Sequence, residues 1–124
     1  MTITEVSERY GLSADTIRYY ERIGLIPPIH RRNNGIRDFT EEDCNWVSFA
    51  KCMRSAGLSI ETLIEYVGMF RQGDATTGAR KDLLIEQRVQ LAHRIQEMQE
   101  TLQRLDYKIE RYEEIILGFE EKMR

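Results

Sequence analysis

The chain has 124 residues, 31% of them charged, and its 21 acidic residues against 18 basic ones give a formal charge of −3. This size leaves room for one modest core plus an appendage. No apolar run approaches the roughly 18 residues of a membrane span and no charged-then-apolar leader opens the chain, so we expect a cytoplasmic protein with no membrane partner. Its two cysteines are then expected to be reduced thiols.

The first two predicted helices form a helix-turn-helix. Thr2 and Glu5 match a capping box, in which each residue bonds the backbone of the other, and this box opens a helix that runs through Tyr10. Residues 11–13, with the sequence Gly-Leu-Ser, then supply the three-residue turn that joins the two helices.

The second helix has one apolar side and one side that suits a nucleic-acid groove. Ser13 caps its start, Gly24 can close it in a left-handed conformation, and Pro27 prevents its resumption. At about 100° per residue, Ile17 and Tyr20 share the apolar side. The opposite side is polar and consists of Asp15, Arg18, Tyr19 and Arg22. The alternative interpretation is an ordinary two-helix hairpin whose arginines are solvated.

A basic hairpin is predicted directly after this motif, over residues 29–39. Five arginines and one glutamate lie between positions 16 and 37, so the acidic chain has a local basic zone that can meet DNA. Asn34-Gly35 favours a type I′ turn, in which both central residues have positive φ. Beside a helix-turn-helix such a hairpin is a wing, and a plain surface hairpin is the alternative. The wing residues placed to meet phosphates are Arg31, Arg32, Asn33 and Arg37.

Two linking helices are predicted between the wing and a hinge. Thr40, followed by acids, begins a helix that runs to about Ser55, and Ser59 caps the next one. The apolar residues expected in the core are Trp46, Phe49, Ala50 and Met53 on the first helix. The second helix carries the apolar residues Ile60, Leu63, Ile64 and Val67, with Phe70 near its end. Residues 73–78 form the predicted hinge, which separates a DNA-binding head with its linking helices, 1–73, from a second part, 74–124.

From Ala79 onward the apolar residues follow a sustained heptad pattern, which predicts one uninterrupted helix about 54 Å long. The seam consists of Leu84, Leu91, Ile95, Met98, Leu102, Leu105, Ile109, Tyr112, Ile116 and Phe119. So long and narrow a seam needs a partner helix, and the chain contains no second heptad segment. The sequence therefore predicts a mainly α protein that forms a homodimer through this coiled coil.

Five short motifs occur together between Ile3 and Arg37. They are Ile3-Thr4-Glu5-Val6-Ser7, Gly11-Leu12-Ser13, Thr16-Ile17-Arg18-Tyr19-Tyr20-Glu21, Gly24-Leu25-Ile26-Pro27 and Gly35-Ile36-Arg37. This set resembles the mercury-resistance regulator (MerR) family of bacterial transcription factors. The resemblance covers the whole chain in architecture and implies a winged helix-turn-helix head with a small β-hairpin wing, two linking helices and a long antiparallel coiled-coil dimerisation helix.

Three positions depart from the family pattern. Ser7 stands where alanine is usual, and Ile36 and Phe39 stand where the wing often has tyrosines. The missing hydroxyls would remove phosphate contacts from the wing, so Arg37 is expected to matter more than either residue.

The resemblance also implies a mechanism. Family dimers bind a dyad in the unusually long spacer between two promoter elements, and an effector makes them bend and untwist the DNA so that RNA polymerase engages both elements. By the family pattern, Thr16, Arg18 and Tyr19 face the DNA, Arg37 meets a phosphate and Tyr20 packs against the first helix. The expected partners are double-stranded promoter DNA, a second copy of the chain and, indirectly, RNA polymerase.

Neither a metal site nor a cofactor is expected. Metal-responsive members of the family carry a cysteine at the start of the long helix and a cysteine or histidine loop at its end, and residues 76–79 and 118–124 contain neither residue type. The two histidines, His30 and His93, are isolated in the sequence, and no set of residues typical of an enzyme is present.

Cys52 is the predicted effector-sensing residue. It lies at the edge of the apolar face of its helix, and the nearby Lys51 and Arg54 could favour its thiolate. Its position resembles the aldehyde- and electrophile-responsive subgroup of the family (NmlR/AdhR type). Cys44 lies eight residues earlier, about 12 Å in helical rise, which is too far for a disulfide, and it is expected to be structural.

Three alternatives remain open at this stage. Cys52 could simply be a small apolar residue on a helix flank, in a regulator with no thiol switch or with another small effector. The regulator could be controlled by its own concentration alone. The chain could also be a protein-interaction adaptor that uses the coiled coil and does not bind DNA.

Overall fold

A computed structural model describes residues 1–124, except for the side chain of Ile116. The helices are α1 (Ile3–Tyr10), α2 (Ala14–Ile23), α3 (Glu41–Ser55), α4 (Ile60–Arg71), a 3₁₀ helix (Asp74–Thr76), α5 (Thr77–Glu110) and α6 (Tyr112–Lys122). Contacts divide the chain into two units, Met1–Gln87 and Arg88–Arg124. Within the described chain, no helix combines the length and the apolarity that a membrane crossing requires. The predicted mainly α class is confirmed.

The helix-turn-helix forms from the local signals that predict it. Thr2 and Glu5 make both bonds of the capping box, at 3.2 and 3.3 Å. Ser13 Oγ accepts a bond from a backbone N–H at 3.0 Å and so caps α2. Gly11 and Gly24 end the two helices with φ of 67° and 82°. Because glycine has no Cβ, it takes this left-handed conformation without the strain that other residues meet.

The core of the first unit collects apolar side chains from α1 through α4 and from the segments between them. It comprises Val6, Ile17, Leu25, Ile26, Ile29, Phe39, Cys44, Val47, Ala50, Leu58 and Leu63. Tyr20 is half-buried against this core. The core therefore fixes the back of α2 and leaves its front free to meet a partner.

The buried side of α3 differs from the predicted stripe. Ala50 is buried as predicted, but Val47 is buried as well, while Trp46 and Phe49 are only half-buried. Both rings pack against the core as well as against α4, and the ring centroids of Trp46 and Phe70 lie 4.8 Å apart. Large rings at the edge of a helix interface can bury most of their surface without entering the core, which helical spacing alone does not reveal.

The wing is a tight turn closed by one bridge. An isolated antiparallel bridge joins Arg31 and Arg37, and no longer strand occurs in the described part of the chain, so the two-stranded ladder is not confirmed. Gly35 N–H donates to Arg32 O at 2.9 Å. Within the wing, Gly35 has a positive φ, 83°, but Asn34 does not. The predicted type I′ turn is therefore wrong, because that turn requires a positive φ at both residues. Asn34 Oδ1 instead accepts a backbone N–H two residues on, at 3.1 Å.

The predicted hinge is shorter than residues 73–78. Gly73, with φ of 97°, interrupts the helical conformation, but a 3₁₀ helix follows at once and α5 already begins at Thr77. Thr76 Oγ1 donates to Met69 O at 2.6 Å and ties this connection to α4. Gly78 lies within α5, since the hydrogen bonds of a helix outweigh the modest propensity cost of one glycine.

The long helix is interrupted once, where the heptads predict continuity. Arg111 takes φ of −111° and ψ of 28° between α5 and α6. Its guanidinium lies 4.6 Å from the ring centroid of Tyr107 and 3.9 Å from a carboxylate oxygen of Glu114. Gly118, the glycine in this region, lies inside α6. Apolar spacing does not report such a local change of backbone conformation.

Most of the predicted seam is exposed in the single chain. Its exposed members are Ile95, Met98, Leu102, Leu105, Ile109, Tyr112 and Phe119. Leu84 packs against the core of the first unit and Leu91 is half-buried. The prediction for Ile116 concerns a side chain that lies outside the described residues. Exposed apolar side chains at heptad spacing are what one strand of a coiled coil presents without its partner.

Candidate nucleic-acid interface

The front of α2 carries four exposed side chains, Asp15, Arg18, Tyr19 and Arg22. Arg18 Nη1 bonds to Asp15 Oδ1 at 3.0 Å, and the Arg22 guanidinium lies 5.3 Å from the centroid of the Tyr19 ring. These local contacts limit the freedom of both arginines while their charges stay at the surface. Guanidinium groups presented in this way can bind phosphates or the edge of guanine.

Thr16 is less accessible than the other predicted contacts of α2. It is half-buried, and its Oγ1 accepts a bond from Ser13 Oγ at 2.8 Å. The hydroxyl therefore takes part in the cap at the start of the helix. Its contact with DNA stays a prediction.

The wing presents three of its four predicted contact residues at the surface. Arg31, Arg32 and Asn33 are all exposed. Arg31 Nη1 donates to Gly35 O at 2.8 Å across the turn, and Arg32 Nε lies 3.8 Å from Asp38 Oδ2. This turn and the front of α2 together give the first unit two groups of surface arginines.

Glu21 connects the wing with α2, a role that the sequence did not reveal. Its side chain is 11% exposed, and Oε1 accepts a bond from Arg37 Nε at 2.8 Å. The other oxygen, Oε2, accepts the backbone N–H of Ile29 at 2.5 Å, and Arg31 Nη2 lies 3.7 Å from Oε1. Arg37, predicted as a phosphate contact, is thus 24% exposed and already paired. The sequence offers one signal for this role: Glu21 is the single acidic residue among the five arginines between positions 16 and 37.

Asp43 holds the base of the wing from the side of α3. Its Oδ2 accepts the backbone N–H groups of His30, at 3.2 Å, and Thr40, at 3.0 Å, and a ring nitrogen of His30 lies 3.0 Å away. Burial acts to raise the pKa of Asp43, but the bonds from Thr40 and His30 outweigh it and hold that pKa below its usual value. The prediction that His30 is isolated is therefore wrong, because it took account only of neighbours in sequence.

The three departures from the family pattern have different structural consequences. Ser7 Oγ donates to Leu12 O at 2.5 Å and so closes the turn between α1 and α2. Phe39 is 3% exposed and belongs to the core, so a hydroxyl there would not point to a phosphate, contrary to our expectation. Ile36 is 57% exposed in the wing.

Cys52 is exposed on α3, whereas its predicted position was intermediate between core and solvent. The two neighbouring cations make bonds elsewhere. Lys51 Nζ donates to the carbonyl of Tyr10, and Arg54 Nη1 donates to Leu58 O at 2.7 Å. The structure thus supports the accessibility of the thiol but not its activation by these cations.

Cys44 is buried in the core, as its predicted structural role requires. Its Sγ lies 3.9 Å from Met1 Sδ. Among the described residues, no group of three or more histidine, cysteine, aspartate or glutamate side chains is arranged to hold a metal ion. The second histidine, His93, has a ring nitrogen 3.3 Å from Glu97 Oε1 one turn later on α5.

Comparison with known proteins gives one family. Residues 1–69 match the model described as MerR HTH family regulatory protein, and residues 45–107 match the model described as MerR, DNA binding. The HTH-type transcriptional regulator AdhR of Bacillus subtilis (strain 168) is 56% identical over 91 residues. That alignment covers 73% of this chain and 65% of AdhR, so the chain spans just under two thirds of that relative.

Two solved structures cover nearly the whole chain. A MerR family protein from Listeria monocytogenes is 54% identical, with a TM-score of 0.87, and covers 99% of this chain and 93% of its own. HiNmlR, a MerR family regulator that lacks the sensor domain and was solved bound to promoter DNA, is 31% identical, with a TM-score of 0.81 and coverage of 90% and 89%. These likenesses agree with the fold class predicted from the sequence, and the relatives named here are regulators, not enzymes.

Proposed function

Since the chain belongs to the MerR family of helix-turn-helix regulatory proteins, in the subgroup of AdhR and NmlR type, we propose that it is a transcription regulator that binds promoter DNA as a homodimer. The observation that carries this proposal is the exposed arginine front of α2 beside a wing that presents further arginines. The recognition helix enters the major groove, and the wing arginines contact phosphates on either side of it.

The dimer holds two such heads on one stretch of DNA. The exposed apolar side chains of α5 and α6 support it, because a seam of this kind in water is covered by a second helix. An antiparallel pairing places the two heads at opposite ends of the coiled coil. The dimer binds a dyad in the promoter spacer and, when triggered, bends and untwists it so that RNA polymerase engages both promoter elements.

Arg18 tests the interface directly. Arg18→Ala should weaken binding to a promoter duplex by more than about tenfold, because one charge-assisted contact in a groove contributes about 1–3 kcal/mol. Arg104→Ala on α5, where the side chain is 71% exposed, removes the same charge outside the first unit and should leave the affinity unchanged. Fluorescence anisotropy with one labelled duplex measures both. If Arg18→Ala binds like the wild type, the assignment of α2 is wrong.

The trigger that we propose is covalent modification of the Cys52 thiol by a reactive aldehyde or another electrophile. The exposure of Cys52 supports this step, as does the 56% identity with AdhR over 91 residues. In the simplest case the sulfur adds to the carbonyl carbon, and the thiol proton ends on the former carbonyl oxygen as a thiohemiacetal. The second thiol, Cys44, is buried and provides a comparison within the same chain.

Cys52→Ser separates sensing from DNA binding. This variant should lose aldehyde-dependent promoter activation and keep its affinity for the duplex, since serine preserves the size of the side chain but not its nucleophilicity. Intact-protein mass spectrometry should show an adduct on the wild type and on Cys44→Ala, and none on Cys52→Ser. Full induction in Cys52→Ser would rule out the thiol switch and favour a regulator with another effector.

A further inference from the structure

The wing has few backbone bonds of its own. One bridge, Arg31 with Arg37, joins its two arms, through the bond from Asp38 N–H to His30 O at 2.7 Å and the bond from Arg32 N–H to Ile36 O at 2.8 Å. The turn adds the bond from Gly35 N–H to Arg32 O at 2.9 Å. A loop held by so few bonds needs other contacts to keep one orientation. Its arginines can meet phosphates in a fixed register with α2 only if such contacts exist.

The first arm of the wing is attached by side-chain carboxylates. Pro27 and Pro28 have no N–H, so Ile29 supplies the first backbone donor after the break. That donor goes to Glu21 Oε2 at 2.5 Å, and the next one, from His30, goes to Asp43 Oδ2 at 3.2 Å. The two carboxylates belong to α2 and α3, so the arm is held between the recognition helix and the helix behind it.

The second arm is attached to the same glutamate. Arg37 Nε donates to Glu21 Oε1 at 2.8 Å, and the pair is well shielded, with side-chain exposures of 24% and 11%. Arg31 on the opposite arm approaches the same oxygen at 3.7 Å. One carboxylate on α2 therefore contacts both arms.

From this geometry we propose that Glu21 is a positioning residue for DNA recognition: it fixes the wing relative to the front of α2. This role rests on the proposed wing contacts with phosphates. Glu21 acts through Arg37 and the backbone of Ile29 and not by its own contact with DNA, because both of its oxygens already accept bonds from these partners and its side chain is only 11% exposed.

The sign of the effect distinguishes positioning from simple electrostatics. If Glu21 only lowers the local positive charge, Glu21→Gln should strengthen binding to every duplex, because non-specific affinity follows the number of phosphates neutralised. If Glu21 positions the wing, the same change should weaken binding to a selected duplex and leave an unrelated duplex unchanged or bound more tightly. The selected duplex is taken from a random pool by the wild-type protein, so the operator need not be known beforehand.

We expect Glu21→Gln to lower the affinity for the selected duplex by about tenfold, within the range of coupling found for residues in one network. Glu8→Gln, which removes the same charge from an exposed position on α1, should not change the ratio of the two affinities. In the free protein, hydrogen exchange of the Ile29 amide should become faster in Glu21→Gln only. Thermal unfolding of each variant reports on the fold separately.

Arg37→Lys provides a second route that does not depend on the glutamate variant. Lysine keeps the positive charge but not the fixed Nε donor, so positioning predicts weaker binding to the selected duplex, and charge alone predicts no change. Glu21 and Arg37 act as one pair, so their effects should not add. The double variant with Glu21→Gln and Arg37→Lys should bind the selected duplex at most about twofold more weakly than whichever single variant binds it less tightly.

Three results would overturn the proposal. The first is a result in which Glu21→Gln and Arg37→Lys each change the affinity for the selected duplex and the affinity for the unrelated duplex by the same factor. The second is unchanged exchange of the Ile29 amide. The third comes from Arg32→Gln. If this variant keeps the affinity for the selected duplex and its salt dependence, the wing does not contact DNA. Glu21 then has no wing contact to position, and the proposal is wrong. If Arg32→Gln binds weakly but the other variants keep the affinity ratio, the wing contacts DNA without being positioned by Glu21.

Discussion

At the scale of single residues, the carboxylates of Glu21 and Asp43 hold the wing against α2 and α3. Asp43 is 3% exposed and accepts two backbone N–H groups besides contacting the His30 ring. An ionised carboxylate can be buried in this way only if its oxygens are well bonded. Its charge stays because the bonds around it favour the ionised form more than burial opposes it.

This balance makes the stability of the fold depend on pH. A carboxyl whose pKa is held below its ordinary value of 3.8 by the folded chain stabilises the fold above that pH, and the contribution is lost as the pH falls through the folded pKa. Asp43→Asn should lower the free energy of unfolding by about 1–3 kcal/mol at neutral pH. The difference from the wild type should shrink as the pH falls below 3.8.

Urea denaturation at neutral and acid pH measures both effects. Asp82→Asn, at an exposed position on α5, provides the matched control and should change neither the stability nor its pH dependence. A difference between Asp43→Asn and the wild type that is as large below pH 3.8 as at neutral pH would show that the ionisation of Asp43 does not stabilise the fold.

At this scale the sequence predicted which charges are exposed better than it predicted which are paired. Arg18, Arg22, Arg31 and Arg32 lie at the surface as expected, because helical spacing and a turn motif are local signals. Glu21 pairs with Arg37, which lies 16 residues away in the sequence, and Asp43 pairs with His30, which lies 13 residues away. Only the packing of the wing between α2 and α3 brings them together.

At the scale of elements, caps decided where the helices of the head begin and end. The predicted starts at Thr2, Ser13, Thr40 and Ser59 are all confirmed by side-chain bonds to the third residue on. A cap involves atoms within four residues, so the sequence contains all of it. The orientation of the wing and the burial of Val47 on α3 depend on packing with other elements, which a local signal does not contain. The contacts of Arg111 are local, but apolar spacing does not report them.

The end of the recognition helix offers a test of this local control. Gly24 has φ of 82°, and a Cβ there meets no atom within 4 Å, so Gly24→Ala should cost about 1 kcal/mol through backbone strain alone. Gly68→Ala in the middle of α4 also meets open space, but without a positive φ, and should stabilise the fold by about 0.5–1 kcal/mol.

Chemical denaturation of the two variants measures this contrast. The same glycine-to-alanine change is expected to have opposite signs, because one site requires the left-handed conformation and the other is helical. A loss of stability in Gly68→Ala as large as in Gly24→Ala would indicate that something other than φ controls both sites.

At the scale of the whole molecule, the exposed seam is the feature that a single chain leaves unexplained. The head has a core of its own, whereas Arg88–Arg124 keeps large apolar side chains such as Met98 and Leu102 at 71% and 58% exposure. Heptad spacing predicts that these side chains are covered by a second helix, but the spacing is the same for parallel and antiparallel partners. The direction of pairing therefore has to be measured.

Disulfide cross-linking distinguishes the two directions. The seam positions from 84 to 116 are symmetric about position 100, although the seam itself continues to Phe119. An antiparallel homodimer paired about position 100 brings Ile95 of one copy beside Leu105 of the other. A mixture of Ile95→Cys and Leu105→Cys, both on a Cys52→Ser background, should then form mainly the mixed disulfide. A parallel dimer brings each position beside its own copy and should yield Ile95→Cys and Leu105→Cys homodimers instead.

The control pair is Gln96→Cys with Arg104→Cys. These two positions are exposed, also centred on position 100, but lie off the seam, so they should cross-link poorly in either direction. Mass spectrometry of tryptic fragments identifies each disulfide. Mixed disulfides between positions 95 and 105 would establish that the two copies pair in the antiparallel direction. Cross-linking no stronger than the control would contradict a homodimer paired about position 100.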